Sequence, residues 1–194
     1  MERDCLEEFL EHPLNAGLTG RRRDGRQSFW YSPAYVFASS SEDCQPLAHI
    51  IDYAYAETAP CCLGVFENEL GGRICVAGYY PWIQLHSRSK SAQMKAILRW
   101  LSRDSLPAYV SSFHRINLWP RVREDGNIAL TLLNASLDPA ENAEVCILTA
   151  KEKLRVVDMG CRETEVAASS ADGPYRRFIL PGVEPWSMRL AVTV

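Results

Sequence analysis

The stretch that decides the fold is "RINLWPRVREDGNIALTLLNASLDPAENAEV", residues 115–145 of the 194-residue chain. Short runs of aliphatic residues alternate in it with turn sequences, and one of these turns contains Asp125–Gly126, a common hairpin pair. The same alternation of short apolar runs and turns continues through "KLRVVDMG", "YRRFILP" and "SMRLAVTV" to the last residue. Short strands at roughly 8–12-residue spacing, separated by turns, predict an antiparallel β-sandwich over residues 113–194.

The last of these runs shows the period of a strand most clearly. Leu190, Val192 and Val194 share one face of it, because successive side chains of a strand point to opposite faces. The other face carries the intervening arginine, alanine and threonine. The run "NIALTL" (127–132) alternates less regularly.

Residues 1–112 have a different texture. "SKSAQMKAILRWLSRD" (89–104) places apolar residues at positions i, i+3, i+4 and i+7, which predicts a helix. "PLAHIIDYAYAE" (46–57) has similar spacing and predicts a second, shorter helix. "CCLGVFEN" (61–68) and "RICVAGY" (73–79) are continuous apolar runs, which are typical of strands covered on both faces. The sequence therefore predicts an α+β chain, in which a partial α/β domain over residues 1–112 precedes the sandwich.

The stretch "GGRICVAGYYPW" (71–82) has the outline of a phosphate-binding loop, since glycines flank a strand ahead of a helix. The two leading glycines precede the strand, however, and cannot present their amides at its far end. Gly78 lies at that end, but bulky aromatics follow it, together with a proline that lacks an N–H. We therefore predict a buried strand with Ile74 and Val76 in the core, a tight exit at Gly78 and no bound anion.

The residues that most often carry chemistry do not form a recognisable site. Seven cysteines without a C-x-x-C pair favour unpaired structural thiols over a disulfide framework or a zinc site. Cys61–Cys62 lacks the preceding glycine of a nucleophile elbow, and the run continues as a strand. Acidic residues in turns, such as Glu67 and Asp138, do not give the facing pair that glycoside hydrolysis needs. We assign no catalytic or metal-binding residue and predict no cofactor.

The net charge and the hydropathy of the chain limit the classes of partner that we expect. The net charge of −3 gives no electrostatic reason to expect a nucleic-acid or membrane partner, and no apolar run approaches the roughly 18 residues of a membrane span. The acidic N-terminal stretch lacks the build of a signal peptide, which together with the unpaired cysteines favours the cytoplasm. Four arginines in the loop at 14–28 could bind phosphate or carboxylate, although charge runs are usually solvated.

Aromatic residues next to prolines stand at the ends of predicted elements, in "GYYPW", "NLWPR" and "EPWS". Such residues commonly seal interfaces, where aromatic rings supply much of the buried area. They also stack on sugar rings. The candidates for interface or sugar contacts are Tyr80, Trp82, Trp119 and Trp186.

Four stretches carry a family resemblance: "GGRICVAGYYPW", the helix ending "LRWLSRDSLPAYV", the run at 115–145, and "LPGVEPWSMRLAVTV". Together, over residues 60–194, they resemble the C-terminal region of glycoside hydrolases of the β-galactosidase type. In that family a catalytic barrel is followed by a trimerisation domain, whose α/β layer is amidotransferase-like or flavodoxin-like, and then by a small antiparallel β domain.

The resemblance implies a non-catalytic C-terminal module that serves assembly and scaffolding. A barrel needs roughly 250 residues and cannot fit in this chain, so no catalytic residue can be assigned from the family. The α/β part is too short for a complete doubly wound sheet, which is expected of a fragment of a longer protein or of a truncated reading frame. The expected partners are its own upstream catalytic domain and further copies of the chain. Two other hypotheses are a carbohydrate-binding module that uses the aromatic residues and a free-standing enzyme built on the α/β part.

Overall fold

A computed structural model of the chain describes residues 5–18, 26–28, 35–37 and 43–194. The chain divides into two compact units, Met1–Arg103 and Asp104–Val194. Most of the arginine-rich part of the loop at 14–28 lies outside the described residues.

In its described residues, the first unit is an antiparallel sheet with one α-helix. Its strand order is β2-β1-β3-β4-β5. The strands are β1 (Cys5–Phe9), β2 (Arg26–Ser28), β3 (Gln45–Asp52), β4 (Glu57–Glu67) and β5 (Arg73–Ala77). Helix α1 (Arg88–Leu101) begins after Ser87, whose side chain accepts a hydrogen bond from the backbone N–H of Lys90. The prediction of this helix is confirmed.

The amidotransferase-like or flavodoxin-like layer expected for this unit is not found in the described residues, where every strand pair of its sheet is antiparallel. The helix predicted at 46–57 is also wrong, because this segment forms β3 and the start of β4. The pairing of β3 with β4 shifts register at three places along β3. Such irregularities break the two-residue alternation of a strand, so the apolar spacing imitates that of a helix.

Strand β5 lies at the edge of the sheet. The prediction that Ile74 and Val76 are buried is wrong, because the opposite face of the strand packs on the core. Ile74 and Val76 are 50% and 47% exposed, whereas Cys75 and Ala77 pack against the core. The predicted tight exit at Gly78 is confirmed. A side chain there would place its Cβ in collision with the backbone oxygen of Tyr35, so only glycine fits.

The second unit contains nine antiparallel strands in two sheets. They are β6 (Ala108–Val110), β7 (Ile116–Val122), β8 (Ile128–Asn134), β9 (Glu144–Leu148), β10 (Lys153–Asp158), β11 (Glu163–Ala167), β12 (Ser170–Asp172), β13 (Tyr175–Ile179) and β14 (Ser187–Thr193). The five-stranded sheet has the order β11-β10-β14-β8-β7, and the four-stranded sheet has the order β12-β13-β9-β6. Strand β6 pairs with β9, so the segment from Asp104 onward belongs to the second unit.

The core of the second unit lies between its two sheets. Leu130 and Leu132 of β8 pack there with Val145 and Ile147 of β9 and with Phe178 of β13. Two sheets that share one apolar core in this way form a sandwich. The predicted antiparallel β-sandwich is confirmed.

The described helices include none that is both long enough and apolar enough to cross a membrane.

Candidate interaction surface

The most unusual surface of the second unit is the outer face of its five-stranded sheet. Strand β8 follows a simple rule, in which Ile128, Leu130 and Leu132 point inward and are buried while the intervening side chains are partly exposed. Strand β14 follows a different rule. Its Ala191 belongs to the buried core, whereas Leu190 is 48% exposed and Met188 is 37% exposed. The bulky apolar side chains of β14 therefore point away from the core.

The polar residues on the inner face of β14 are held by hydrogen bonds. Thr193 is fully buried, and its Oγ1 accepts a bond of 2.9 Å from the backbone N–H of Ile128. The Nη2 atom of Arg189 donates a bond of 2.8 Å to the backbone oxygen of Gly182. A buried polar group that is hydrogen-bonded is tolerated, whereas an unpaired one is costly. The inner face therefore accepts polar residues, which leaves the apolar set outside.

The register of the strands assembles these outward residues into one patch. One cross-strand row contains Trp119, Thr131, Leu190 and Val157, each paired with the next. In the adjacent row Leu133 pairs with Met188. We call the residues Trp119, Leu133, Val157, Met188 and Leu190 the apolar patch. Contiguous apolar surface of this kind marks interaction sites on soluble proteins.

Charged residues frame the patch unequally. On the β11 side, Glu163 and Glu165 face outward in the rows of Val157 and Arg155. Lys153 lies 2.7 Å from Glu165 and Arg155 lies 3.9 Å from Glu163. On the β7 side stands Arg121, in the row next to Trp119. Within the described part of the chain, Arg121 has no ion-pair partner.

The four aromatic residues predicted as contacts are all exposed, but they belong to different units. Tyr80 and Trp82 lie at the short 3-10 turn Pro81–Gln84 of the first unit. Trp119 is 50% exposed in the middle of β7 and belongs to the apolar patch. Trp186 directly precedes β14 and has a positive φ of 54°. The role of these four residues as sugar or interface contacts stays a prediction, and no pattern in the sequence indicates the leucine and methionine that surround Trp119.

The first unit contains a second notable cluster, which is closed to solvent. Glu7 of β1 and Lys90 of α1 are both fully buried, and the ammonium of Lys90 lies 2.8 and 3.0 Å from the two carboxylate oxygens of Glu7. Lys90 also donates to Oε1 of Gln93 at 2.7 Å and to the hydroxyl of Tyr79. The Tyr79 hydroxyl in turn donates to Glu7.

The cluster continues to the start of the chain. The side-chain amide of Gln93 donates to Oδ1 of Asn15 at 2.8 Å, and Asn15 donates to the backbone oxygens of Leu10 and Leu47, also at 2.8 Å. Burial and the negative charge of Glu7 raise the pKa of Tyr79 far above its usual value, so its hydroxyl stays protonated. A full set of partners allows these polar groups to be buried.

A sequence signal for this cluster existed and was missed. Lys90 stands one turn before Met94, on the apolar stripe of α1 that also includes Ile97. Glu7 lies between Cys5 and Phe9, the other two buried positions of β1. Opposite charges at buried positions of two elements indicate a buried ion pair, because such charges are rarely tolerated alone.

The adjacent cysteines have the properties of structural thiols. Burial, followed by the neighbouring Cys44 thiol, raises the pKa of Cys61 to about 11, and burial raises the pKa of Cys62 further. Thiols with raised pKa values are poor nucleophiles at neutral pH. Among the described residues there is also no group of three or more histidine, cysteine or acidic side chains that could hold a metal ion.

A shallow pocket of about 360 Å³ near the end of β10 is lined by Asp158, Arg162 and Arg189, among others. The carboxylate of Asp158 is already engaged. It accepts bonds from the backbone N–H groups of Gly160 and Arg162, at 2.8 and 3.0 Å, and from Nε of Arg162 at 2.8 Å. The hydrogen bond from the backbone N–H of Arg162 is the main cause that lowers the pKa of Asp158 below its usual value. Asp158 thus holds its own hairpin turn.

Comparisons with known proteins show a likeness of fold. No protein-family model matches the chain, and no curated protein matches it. Among solved structures the chain is similar to α-L-fucosidase isoenzyme 2 from Paenibacillus thiaminolyticus, with a TM-score of 0.60 and 14% sequence identity. The match covers 99% of this chain and 32% of the fucosidase chain, so the chain spans about a third of that protein's length.

This likeness is one of fold, and the fold is related to that of a glycoside hydrolase. It agrees with the broad class of the family resemblance. The solved structure is a fucosidase, however, so the narrower resemblance to hydrolases of the β-galactosidase type stays a prediction.

Proposed function

We propose that this chain is a non-catalytic module of a glycoside hydrolase and that it serves in the assembly of that protein. The fold likeness to about a third of a fucosidase supports the parent class. The observation that carries the assembly role is the apolar patch, in which Trp119, Met188 and Leu190 stand exposed on a regular sheet. Aromatic residues and methionine are enriched in protein–protein interfaces, and a patch of this kind becomes stable when a partner covers it.

The chemistry of the described residues supports a role without catalysis. The ion pair of Glu7 and Lys90 is fully buried, so substrate cannot reach it. The carboxylate of Asp158 is used by its own turn. A general acid or base must come within hydrogen-bond reach of its substrate, which the buried Glu7 and Lys90 cannot do.

The assembly role is tested by the mass of the intact chain in solution, measured by light scattering after size exclusion. We expect a mass above the 21.9 kDa of one chain at high concentration. A Trp119→Ser and Met188→Ser double variant should shift the mass toward that of one chain. Oxidative footprinting should show Met188 protected in the wild type. A single-chain mass at every concentration, with Met188 labelled freely, would contradict the assembly role.

A carbohydrate-binding role is the alternative, favoured by the indole of Trp119. This ring stands exposed on the same face of β7 as Asn117 and Arg121, which could bond sugar hydroxyls. Titration of the wild type with oligosaccharides should then shift the tryptophan fluorescence, and Trp119→Phe should weaken the shift. Unchanged fluorescence up to millimolar oligosaccharide would rule this alternative out.

A further inference from the structure

We propose that the apolar patch is the contact face of a symmetric dimer. Two copies of the chain pack their five-stranded sheets face to face, about a two-fold axis that runs parallel to β14. This inference rests on the assembly role proposed above and names the partner as a second copy of the same chain. Sheets that pack face to face keep their strands within about 30° of each other, so two copies of one twisted sheet are suitable partners.

The first argument is the distribution of charge across the face. Strand β14 lies in the middle of the sheet, with β11 at one edge and β7 at the other. The β11 edge carries Glu163 and Glu165, whose charges Arg155 and Lys153 of β10 balance on the same face. The β7 side carries Arg121, which has no ion-pair partner among the described residues. A two-fold rotation about an axis along β14 exchanges these edges between copies. It therefore brings Arg121 of each copy toward Glu165 of the other.

The same rotation brings like residues together at the centre. Because β14 lies on the axis, Leu190 of one copy meets Leu190 of the second copy, and Met188 meets Met188. Trp119 lies two strands from β14 in the row of Leu190, so it faces Glu163, at the opposite end of that row, in the second copy. A self-complementary surface, apolar at the centre and charged at the rim, is what an isologous interface requires.

The second argument is that the edges of the sheet resist pairing, which leaves the face as the available surface. Strand β7 contains Pro120, which lacks the N–H that a further strand would need. Strand β11 carries Glu163 and Glu165, and charged side chains on an edge strand oppose edge-to-edge contact. Face-to-face packing uses neither edge.

The size of the face sets the expected strength. Five strands about 4.8 Å apart and five to seven residues long give roughly 20 Å by 22 Å, or about 440 Å² per copy. Two copies then bury on the order of 1,000 Å², which is near the lower limit for a specific interface. We therefore expect a reversible dimer with a dissociation constant in the micromolar range rather than an obligate one.

The experiment is sedimentation velocity on the intact chain from about 1 to 300 μM, with Leu190→Glu as the first variant. Glutamates that meet on the two-fold axis should weaken the dimer at least 100-fold, since like charges brought together cost several kcal/mol. The matched control is Leu137→Glu. Leu137 is 81% exposed in the same unit but lies in the loop after β8, outside the patch, so this variant should dimerise like the wild type. Hydrogen exchange of β8 and β14 verifies that both variants are folded.

Charge exchange tests the symmetry itself. Arg121→Glu and Glu165→Arg should each weaken the dimer roughly tenfold, because each change acts at two symmetric contacts. The double variant should restore most of the affinity. A restored affinity supports the two-fold arrangement over nonspecific apolar association of the face.

The outcomes separate this inference from the assembly role on which it rests. If the wild type associates but Leu190→Glu has no effect, or the double variant is not restored, the two-fold dimer is wrong while the assembly role stands. A trimer mass has the same consequence. A wild type that stays a single chain up to 300 μM overturns both.

Discussion

The two units of this chain are both built on antiparallel sheets, yet they differ in what they bury. The first unit encloses an ion pair and its hydrogen-bonding partners, with Glu7 and Lys90 fully buried. The second unit fills the space between its sheets with hydrocarbon side chains such as Leu130, Leu132 and Ile147. A polar core of this kind depends on every partner being present, whereas an apolar core depends on volume and alternation.

The units also differ in where their charges and apolar residues end up. Lys90 lies on the stripe of α1 that faces the core, while the leucine and methionine of β14 lie outside. In both cases the neighbouring strands decide the outcome. An inner face can take a polar residue when a bonding partner stands opposite, and an outer face keeps apolar residues when it is built to be covered.

The largest effect should come from breaking the polar core. Lys90→Met keeps the length of the side chain but leaves Glu7 buried without its cation, so we expect a loss of about 3–5 kcal/mol in the free energy of unfolding. Urea unfolding of the intact chain measures this loss, and hydrogen exchange should locate it in β1 and α1. The double variant Glu7→Gln with Lys90→Met should lose less than Lys90→Met alone, because no unpaired charge remains. If the double variant loses as much free energy of unfolding as Lys90→Met alone, or more, then Glu7 and Lys90 do not act as a unit.

The stability of the apolar core should depend on the volume of its side chains. Two leucines, one on each face of the five-stranded sheet, test this. Leu132→Ala opens a cavity in the sandwich and should reduce the free energy of unfolding by about 2–5 kcal/mol. Leu190→Ala, measured on dilute protein, should change it by about 0.5 kcal/mol, since the side chain is nearly half exposed. Comparable losses for the two variants would mean that the outer face contributes to the monomer as a core does.

The smallest effect is a difference in pH dependence between the units. The first unit buries Cys61 and Cys75, whose pKa values burial raises to about 11, as well as Tyr79, whose pKa is raised further. A raised pKa means that the unfolded chain releases protons first, so stability is full below about pH 9 and falls as the pH rises. In the second unit hydrogen bonds lower the pKa of Asp158, so that contribution is present above about pH 4 and is lost in acid.

Hydrogen exchange at pH 7 and pH 10, referenced to model peptides, measures the alkaline part of this difference. Protection of β4 and β5 should fall at pH 10 relative to that of β8 and β14. Urea midpoints of the wild type and of Asp158→Asn between pH 3 and pH 7 measure the acid part, where the two midpoints should converge as the pH falls. Identical alkaline losses in both units would contradict the assignment of the buried thiols and Tyr79.

The sequence could predict what local patterns determine. The turn at Asp125–Gly126 and the regular spacing of short apolar runs predict the sandwich, and the stripe of α1 predicts the helix. The helix expected at 46–57 failed because irregular pairing hides the period of β3. Ile74 and Val76 were expected in the core because their run is apolar, but the side of an edge strand that faces the core depends on its neighbours.

The candidate surface was only partly predictable for the same reason. Trp119 was recognisable from its place next to Pro120. The other members of the apolar patch come from β8, β10 and β14, and the register that brings them together is a long-range property of the sheet. The alternation of "RLAVTV" is visible in the sequence, but the strand's own residues do not determine that its apolar face points outward.

The buried ion pair also has a consequence for how the chain is made. Glu7 and Lys90 are 83 positions apart, and the carboxylate leaves the ribosome first. At about 5–20 residues per second, the cation follows roughly 4–17 s later. Until then β1 carries a charge that cannot be buried with its cation, so the nascent sheet must wait for the helix. The first unit therefore closes late in its own synthesis, after nearly all of its residues have been made.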